Sequence, residues 1–102
     1  MLRTLAYLLV LAPGVAFGQD IEQGHQLATR WCANCHVVER TTAAASANGL
    51  PTFPAIAVNA RATPDMLRAT MSAQHGRMPD LQLTRRQQDD LIAYIQSLKP
   101  KQ

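Results

Sequence analysis

The run Cys32-Ala33-Asn34-Cys35-His36 constrains this chain more than any other feature, because it holds both cysteines, two residues apart, with a histidine directly behind them. Two thiols at this spacing can add across the vinyl groups of a haem, and the adjoining imidazole can ligate its iron. One covalently attached haem c is therefore the leading reading of Cys32, Cys35 and His36. A disulfide or a thioredoxin-like redox pair would use the same sulfurs and leave the histidine without a role. The stretch before Cys32 is punctuated as a helix, and the chain has little room for the sheet of a thioredoxin-like fold. Zinc would need a fourth ligand, which His25 or His75 would have to supply from an unfamiliar spacing.

A chain of 102 residues with 47% hydrophobic content allows one small domain and leaves no length for separate substrate and cofactor domains. The formal charge of +3 is not gathered into a basic run, and aromatic residues make up only 5% of the chain, so a nucleic-acid partner is not expected. Arg3 precedes an apolar stretch from Leu5 to Leu11, and Ala16-Phe17-Gly18 offers small residues for cleavage before Gln19. Residues 1–18 thus read as a cleaved signal peptide and residues 19–102 as the working domain. A retained membrane anchor is the alternative, but this stretch is only about half the length needed to span a bilayer. A domain this small gains materially from a cofactor that adds to its core.

The helices announce themselves through their caps. Asp20 is placed to cap a first helix over 21–34, with Gln23 positioned for a reciprocal backbone contact. Ile21, Gly24, Ala28 and Trp31 fall on related faces of that helix. An interior glycine weakens a helix by about 1 kcal/mol relative to alanine, so close approach of another helix is the better account of Gly24. Thr63 and Pro64 open a helix over 64–74 whose inward face would carry Met66, Leu67, Thr70 and Met71, with Gly76 as its stop. Thr84 and Gln87 form a capping-box pair ahead of a last helix over 85–98, with Leu91, Ile92, Ile95 and Leu98 facing inward. Between His36 and Thr63 the sequence reads as loops, with a short helix near 54–58.

With Met78-Pro79 added to Cys32-Ala33-Asn34-Cys35-His36, the chain resembles the small class I cytochromes c over nearly all of residues 19–102. The resemblance implies an all-α class I cytochrome c fold, a few helices wrapped around one haem. It also implies low-spin iron held by His36 on one face and Met78 on the other. Met1 would leave with the signal peptide, and Met66 and Met71 sit at helical positions suited to packing. Met78 lies in a loop, where Pro79 restricts it to extended backbone. His75 is the competing ligand, and His25 is expected to be exposed or packed on the first helix. In this family the first and last helices cross at a glycine and an aromatic residue, which here correspond to Gly24 and Tyr94. A hydroxyl of Tyr94 left in solvent is the plainer alternative.

Family members often place a proline soon after the attachment histidine, whose carbonyl accepts the ring proton. Here no proline follows until Pro51, which becomes the candidate acceptor. Phe53, Pro54 and Ile56 would pack along the porphyrin or simply fill the core. Arg40, Arg61 and Arg77 read as solvated, with haem propionates or a negative partner as the alternative.

The resemblance implies a one-electron carrier, not an enzyme. The expected protein is a soluble periplasmic monomer without stable membrane insertion, passing electrons transiently between a dehydrogenase or membrane redox complex and a downstream acceptor. A dedicated cytochrome c subunit of a periplasmic dehydrogenase complex is the alternative.

Overall fold

Asp20 accepts a hydrogen bond from the Gln23 amide at 3.1 Å and opens α1, Ile21–Leu27. The computed structural model describes residues 19–100 together with Leu9, so the signal-peptide reading of residues 1–18 lies outside the described residues. The reciprocal contact expected of Gln23 is made from elsewhere in the chain: the Asp20 amide donates to the carboxylate of Asp90 at 2.8 Å. Nor does α1 run on to residue 34 as an α-helix. Over Ala28–Cys32 it widens into a π-helical turn in which the Ala33 amide reaches back to the Ala28 carbonyl at 3.0 Å. The extra residue in that turn rotates Trp31 off the buried face. Gly24 and Ala28 are buried, while Ile21 and Trp31 stand exposed.

α1 crosses the last helix, α4 (Arg85–Ser97), at Gly24. A Cβ built there would lie 2.0 Å from the Asp90 carbonyl oxygen and 2.8 Å from the Tyr94 Cβ, so only glycine admits this approach. Tyr94 is buried, and its hydroxyl donates to the Val38 carbonyl at 2.7 Å, which overturns the solvent-facing alternative. His25 stacks on the Tyr94 ring at 4.8 Å, with its Nε2 2.6 Å from the Glu39 carboxylate. The segment just beyond His36 is thereby fastened to the helix crossing.

Burial and the Glu39 carboxylate raise the Tyr94 pKa above its ordinary 10.0, with Arg40 opposing. An unfolded phenol then ionises first. The resulting stabilisation is complete below pH 10.0 and is lost as pH rises through the folded-state value. The guanidinium midpoint is expected to fall above that pH, and Tyr94→Phe should flatten the fall. At neutral pH the same substitution should cost about 1–2 kcal/mol by leaving the Val38 carbonyl unpaired. An alkaline slope unchanged in Tyr94→Phe would refute the attribution.

α4 begins with the expected capping box: Thr84 accepts from the Gln87 amide and the Gln87 side chain accepts from the Thr84 amide. Leu91 and Ile92 are its most deeply buried side chains, joined in the core by Ile95 and Leu98. At its far end Arg40 donates to the carbonyls of Leu98 and Ser97, at 3.1 and 3.3 Å. Arg40 is thus engaged with the negative end of a helix and not left to solvent or a partner.

The short helix α2 spans Phe53–Val58, one residue longer at its start than expected, with Thr52 as its cap. α3 spans Pro64–Met71, capped by Thr63, with Pro64 in the first turn. It stops short of residue 74 because Ser72 turns back, its hydroxyl bonding the Arg68 carbonyl at 2.7 Å and its amide the Ala69 carbonyl at 3.2 Å. Gly76 therefore serves a later turn. Leu67 and Met71 face inward, whereas Met66 is 53% exposed and not part of the inward face. An Arg68–Asp89 ion pair at 2.6 Å ties α3 to α4. Among the described residues there is no strand, and none of the helices is long and apolar enough to cross a membrane.

Candidate haem site

The π-turn delivers Cys32 directly into the attachment turn. The amides of Cys35 and His36 both bond the Cys32 carbonyl, at 3.1 and 2.8 Å, which folds the five residues into one compact loop. The carbonyl of Cys35 accepts from the Asn48 side chain at 2.8 Å and from the Ser46 hydroxyl at 3.3 Å, and Ser46 also bonds the Asn48 side chain. This return loop carries Pro51 to His36. The His36 Nδ1–H donates to the Pro51 carbonyl at 2.8 Å, as the sequence suggested. A carbonyl can only accept, so the ring proton sits on Nδ1 and Nε2 keeps its lone pair for a metal. The Phe53 ring lies 5.6 Å from the His36 ring and restricts its tilt.

The two cysteines are unequally placed. Cys35 is exposed, while Cys32 is partly buried against the core, and burial pushes its thiol pKa up to about 11.

Met78 leaves the chain from a tight turn between α3 and α4. The His75 amide bonds the Met78 carbonyl at 3.1 Å and the Met78 amide bonds the His75 carbonyl at 2.9 Å. Gly76 takes φ +50 as the first of the two residues between them, and Arg77 has negative φ. That sign pattern belongs to a type II′ turn, for which glycine is favoured at this place. Met78 is partly buried against the core cluster, next in burial to Met71 and far less exposed than Met66. Arg77 reaches the Asn48 carbonyl at 3.4 Å, linking this turn to the loop that holds Cys35.

Two cysteines one turn apart, an imidazole whose Nδ1 is bonded and whose Nε2 is left for a metal, and a half-buried thioether make a donor set suited to a c-type haem, and one unsuited to a closed zinc site. Among the described residues no group of three or more His, Cys, Asp or Glu side chains could hold a metal ion by itself. The sequence model of the family described as Cytochrome c matches residues 21–99.

The chain belongs to the cytochrome c family.

It is a class I monohaem cytochrome of all-α fold, carrying covalently bound haem c and transferring electrons rather than catalysing a reaction. Cytochrome c-552 of Bradyrhizobium diazoefficiens is 37% identical over 101 residues, covering 97% of this chain and 96% of that protein. No solved structure matches the cytochrome.

Sequence reasoning missed three supports of the site. Ser46 and Asn48 hold the Cys35 carbonyl; the Asn48-Gly49 turn was visible, but the target of its side chain was not. Asp90 grips the start of α1 from α4, and in sequence it is one of two adjacent acids near a helix start. Glu39 pairs with His25 without any local signal.

Proposed function

We propose that the cytochrome is a soluble periplasmic one-electron carrier, working as residues 19–102 after removal of residues 1–18, with transient donor and acceptor proteins. Cys32 and Cys35 would hold the haem through thioether bonds, and His36 and Met78 would supply the protein ligands to its iron. The observation that carries this reading is the His36–Pro51 hydrogen bond, which orients the ring and leaves Nε2 free to coordinate. The haem supplies the Fe(III)/Fe(II) couple. The chain's task is to keep the same ligands in both states, so that little rearrangement accompanies the electron. Phe53 and Pro51 immobilise the His36 ring, and Met78 is pressed on the core by its turn. The thioether favours the reduced state and sets a potential above that of a two-histidine site.

Export is supported by the Arg3, apolar and small-residue pattern at the start of the sequence. The reading is tested by isolating the protein from the periplasmic fraction, measuring its mass and mixing the reduced form with carbon monoxide. A mature chain starting at Gln19, migrating as a monomer and binding carbon monoxide slowly, is expected. Rapid carbon monoxide binding would mean an open sixth position, and stable co-purification with a dehydrogenase would favour the dedicated-subunit role.

A further inference from the structure

Three consecutive residues of the attachment segment are each hydrogen-bonded to the return loop. The Cys35 carbonyl accepts from the Asn48 side chain at 2.8 Å, the His36 ring donates to the Pro51 carbonyl at 2.8 Å, and the Val37 carbonyl accepts from the Phe53 amide at 2.9 Å. The second and third use backbone atoms of the return loop. Only the first depends on the identity of a side chain there, that of Asn48.

The two ends of the Asn48 amide serve different segments. Its Oδ1 accepts from the Leu50 amide at 3.2 Å and from the Ser46 hydroxyl, which closes the loop on itself. A backbone amide can only donate, so this end is the oxygen and the end on Cys35 is the Nδ2. Closing the loop needs the oxygen alone, and an aspartate would supply it equally well. The amide nitrogen is what asparagine adds, and it is bonded to the attachment segment.

The peptide unit it holds is the one that joins Cys35 to His36. The N–H of that unit donates to the Cys32 carbonyl at 2.8 Å, and its C=O accepts from Asn48, with Ser46 a longer donor at 3.3 Å. Ser46 is a poor substitute, because its single proton is also within reach of the Leu50 carbonyl and the Asn48 Oδ1. A peptide plane held at both its N–H and its C=O fixes the direction in which the His36 side chain leaves the backbone. With Nδ1 then tied to Pro51, the imidazole plane has one orientation. Without the Asn48 donor, the plane can rock about the ties that remain.

We propose that Asn48 is a positioning residue for the haem ligand: by holding the Cys35–His36 peptide through its Nδ2, it sets the plane of the His36 imidazole. The inference rests on the assignment of His36 as an iron ligand. Outer partners of a ligating histidine fix its orientation, and here the ring has two, Pro51 acting on the imidazole and Asn48 acting on the backbone that carries it. The plane of the ring decides how the unpaired electron of oxidised iron spreads over the porphyrin. Asn48 therefore acts on the electronic structure of the site without touching the haem ligand's side chain.

The test is proton magnetic resonance of the oxidised holoprotein at neutral pH, where the shifts of the haem methyls and of the His36 ring report the ligand plane. Asn48→Asp keeps the oxygen that closes the loop and removes the donor to Cys35. Ala47→Asp puts the same charge one residue away, at an exposed position, and leaves the donor in place. Asn48→Asp is expected to rearrange the methyl shifts and to speed solvent exchange of the His36 Nδ1–H several-fold, while Ala47→Asp keeps the wild-type pattern and exchange rate. Asn48→Ser removes the donor without adding charge, its shorter hydroxyl still accepting from Leu50, and should show the same changes as Asn48→Asp. A wild-type pattern in Asn48→Ser, or equal changes in Ala47→Asp and Asn48→Asp, would overturn the proposal and leave the His36 assignment standing. Absence of iron-shifted His36 ring signals from the wild type is a separate result, which removes the ligand assignment and the proposal with it.

Discussion

Gly24→Ala is expected to lower the thermal midpoint of the holoprotein by about 10 °C or more. The added carbon would stand 2.0 Å from the Asp90 carbonyl oxygen and 2.6 Å from its carbonyl carbon, both backbone atoms of α4. Neither can rotate aside, so α1 and α4 must separate. Overpacking of this kind costs about 3 kcal/mol, occasionally more, and exceeds the ~1 kcal/mol that alanine gains over glycine inside a helix. In a domain of this size each kcal/mol moves the midpoint by roughly 4–8 °C. Separation would also pull Asp20 from Asp90 and loosen the π-turn that presents Cys32. Gly49→Ala is the comparison: φ there is +80, but no atom lies within 4 Å of a new Cβ, so its cost is limited to about 1 kcal/mol of backbone strain. A Gly24→Ala midpoint no lower than that of Gly49→Ala would show that the crossing is not tight.

Met78→Ala is expected to abolish the weak methionine-to-iron band at the red edge of the oxidised spectrum and to lower the reduction potential. The band needs a sulfur on the iron, so its loss should be complete and not graded. The potential falls because the ligand that favoured the reduced state is gone. Met71→Leu serves as the control. Met71 is buried in α3, the exchange nearly conserves volume, and a cost below about 1.5 kcal/mol with the band intact is expected. Retention of the band in Met78→Ala, or its disappearance in Met71→Leu, would move the ligand assignment from the turn to the helix.

What could be read from the sequence was what local chemistry decides. Asp20, Thr63 and Thr84 each cap the helix they were expected to cap, because a side-chain oxygen three residues ahead of an unpaired amide is a nearest-neighbour matter. Gly24 was legible for the opposite reason: a glycine unfavourable to its own helix implies a neighbour that requires it. Pro51 was found through the chemistry of the ring, since a ligating histidine needs an acceptor for its other nitrogen and the next available proline lay there. The π-turn at Ala28–Cys32 left no such mark. Those residues suit an α-helix, and the extra residue in the turn belongs to the junction with the attachment loop, a tertiary matter. Trp31 and Met66 were misplaced because a uniform 3.6-residue period was extended into segments that depart from it or lie at the rim. Arg40, Glu39 and Asp90 found partners from 14 to 70 positions away in the chain, distances at which pattern reading has no grip.

The central claim is a covalently held haem whose iron keeps one histidine and one methionine through a one-electron cycle. A visible and near-infrared spectrum of the purified protein, recorded through a stepwise redox titration, tests it most directly. The expected result is a low-spin c-type spectrum in both states, a methionine band in the oxidised protein that vanishes on reduction, and a titration that fits one electron. A high-spin spectrum, or an oxidised low-spin spectrum with no methionine band, would contradict the account.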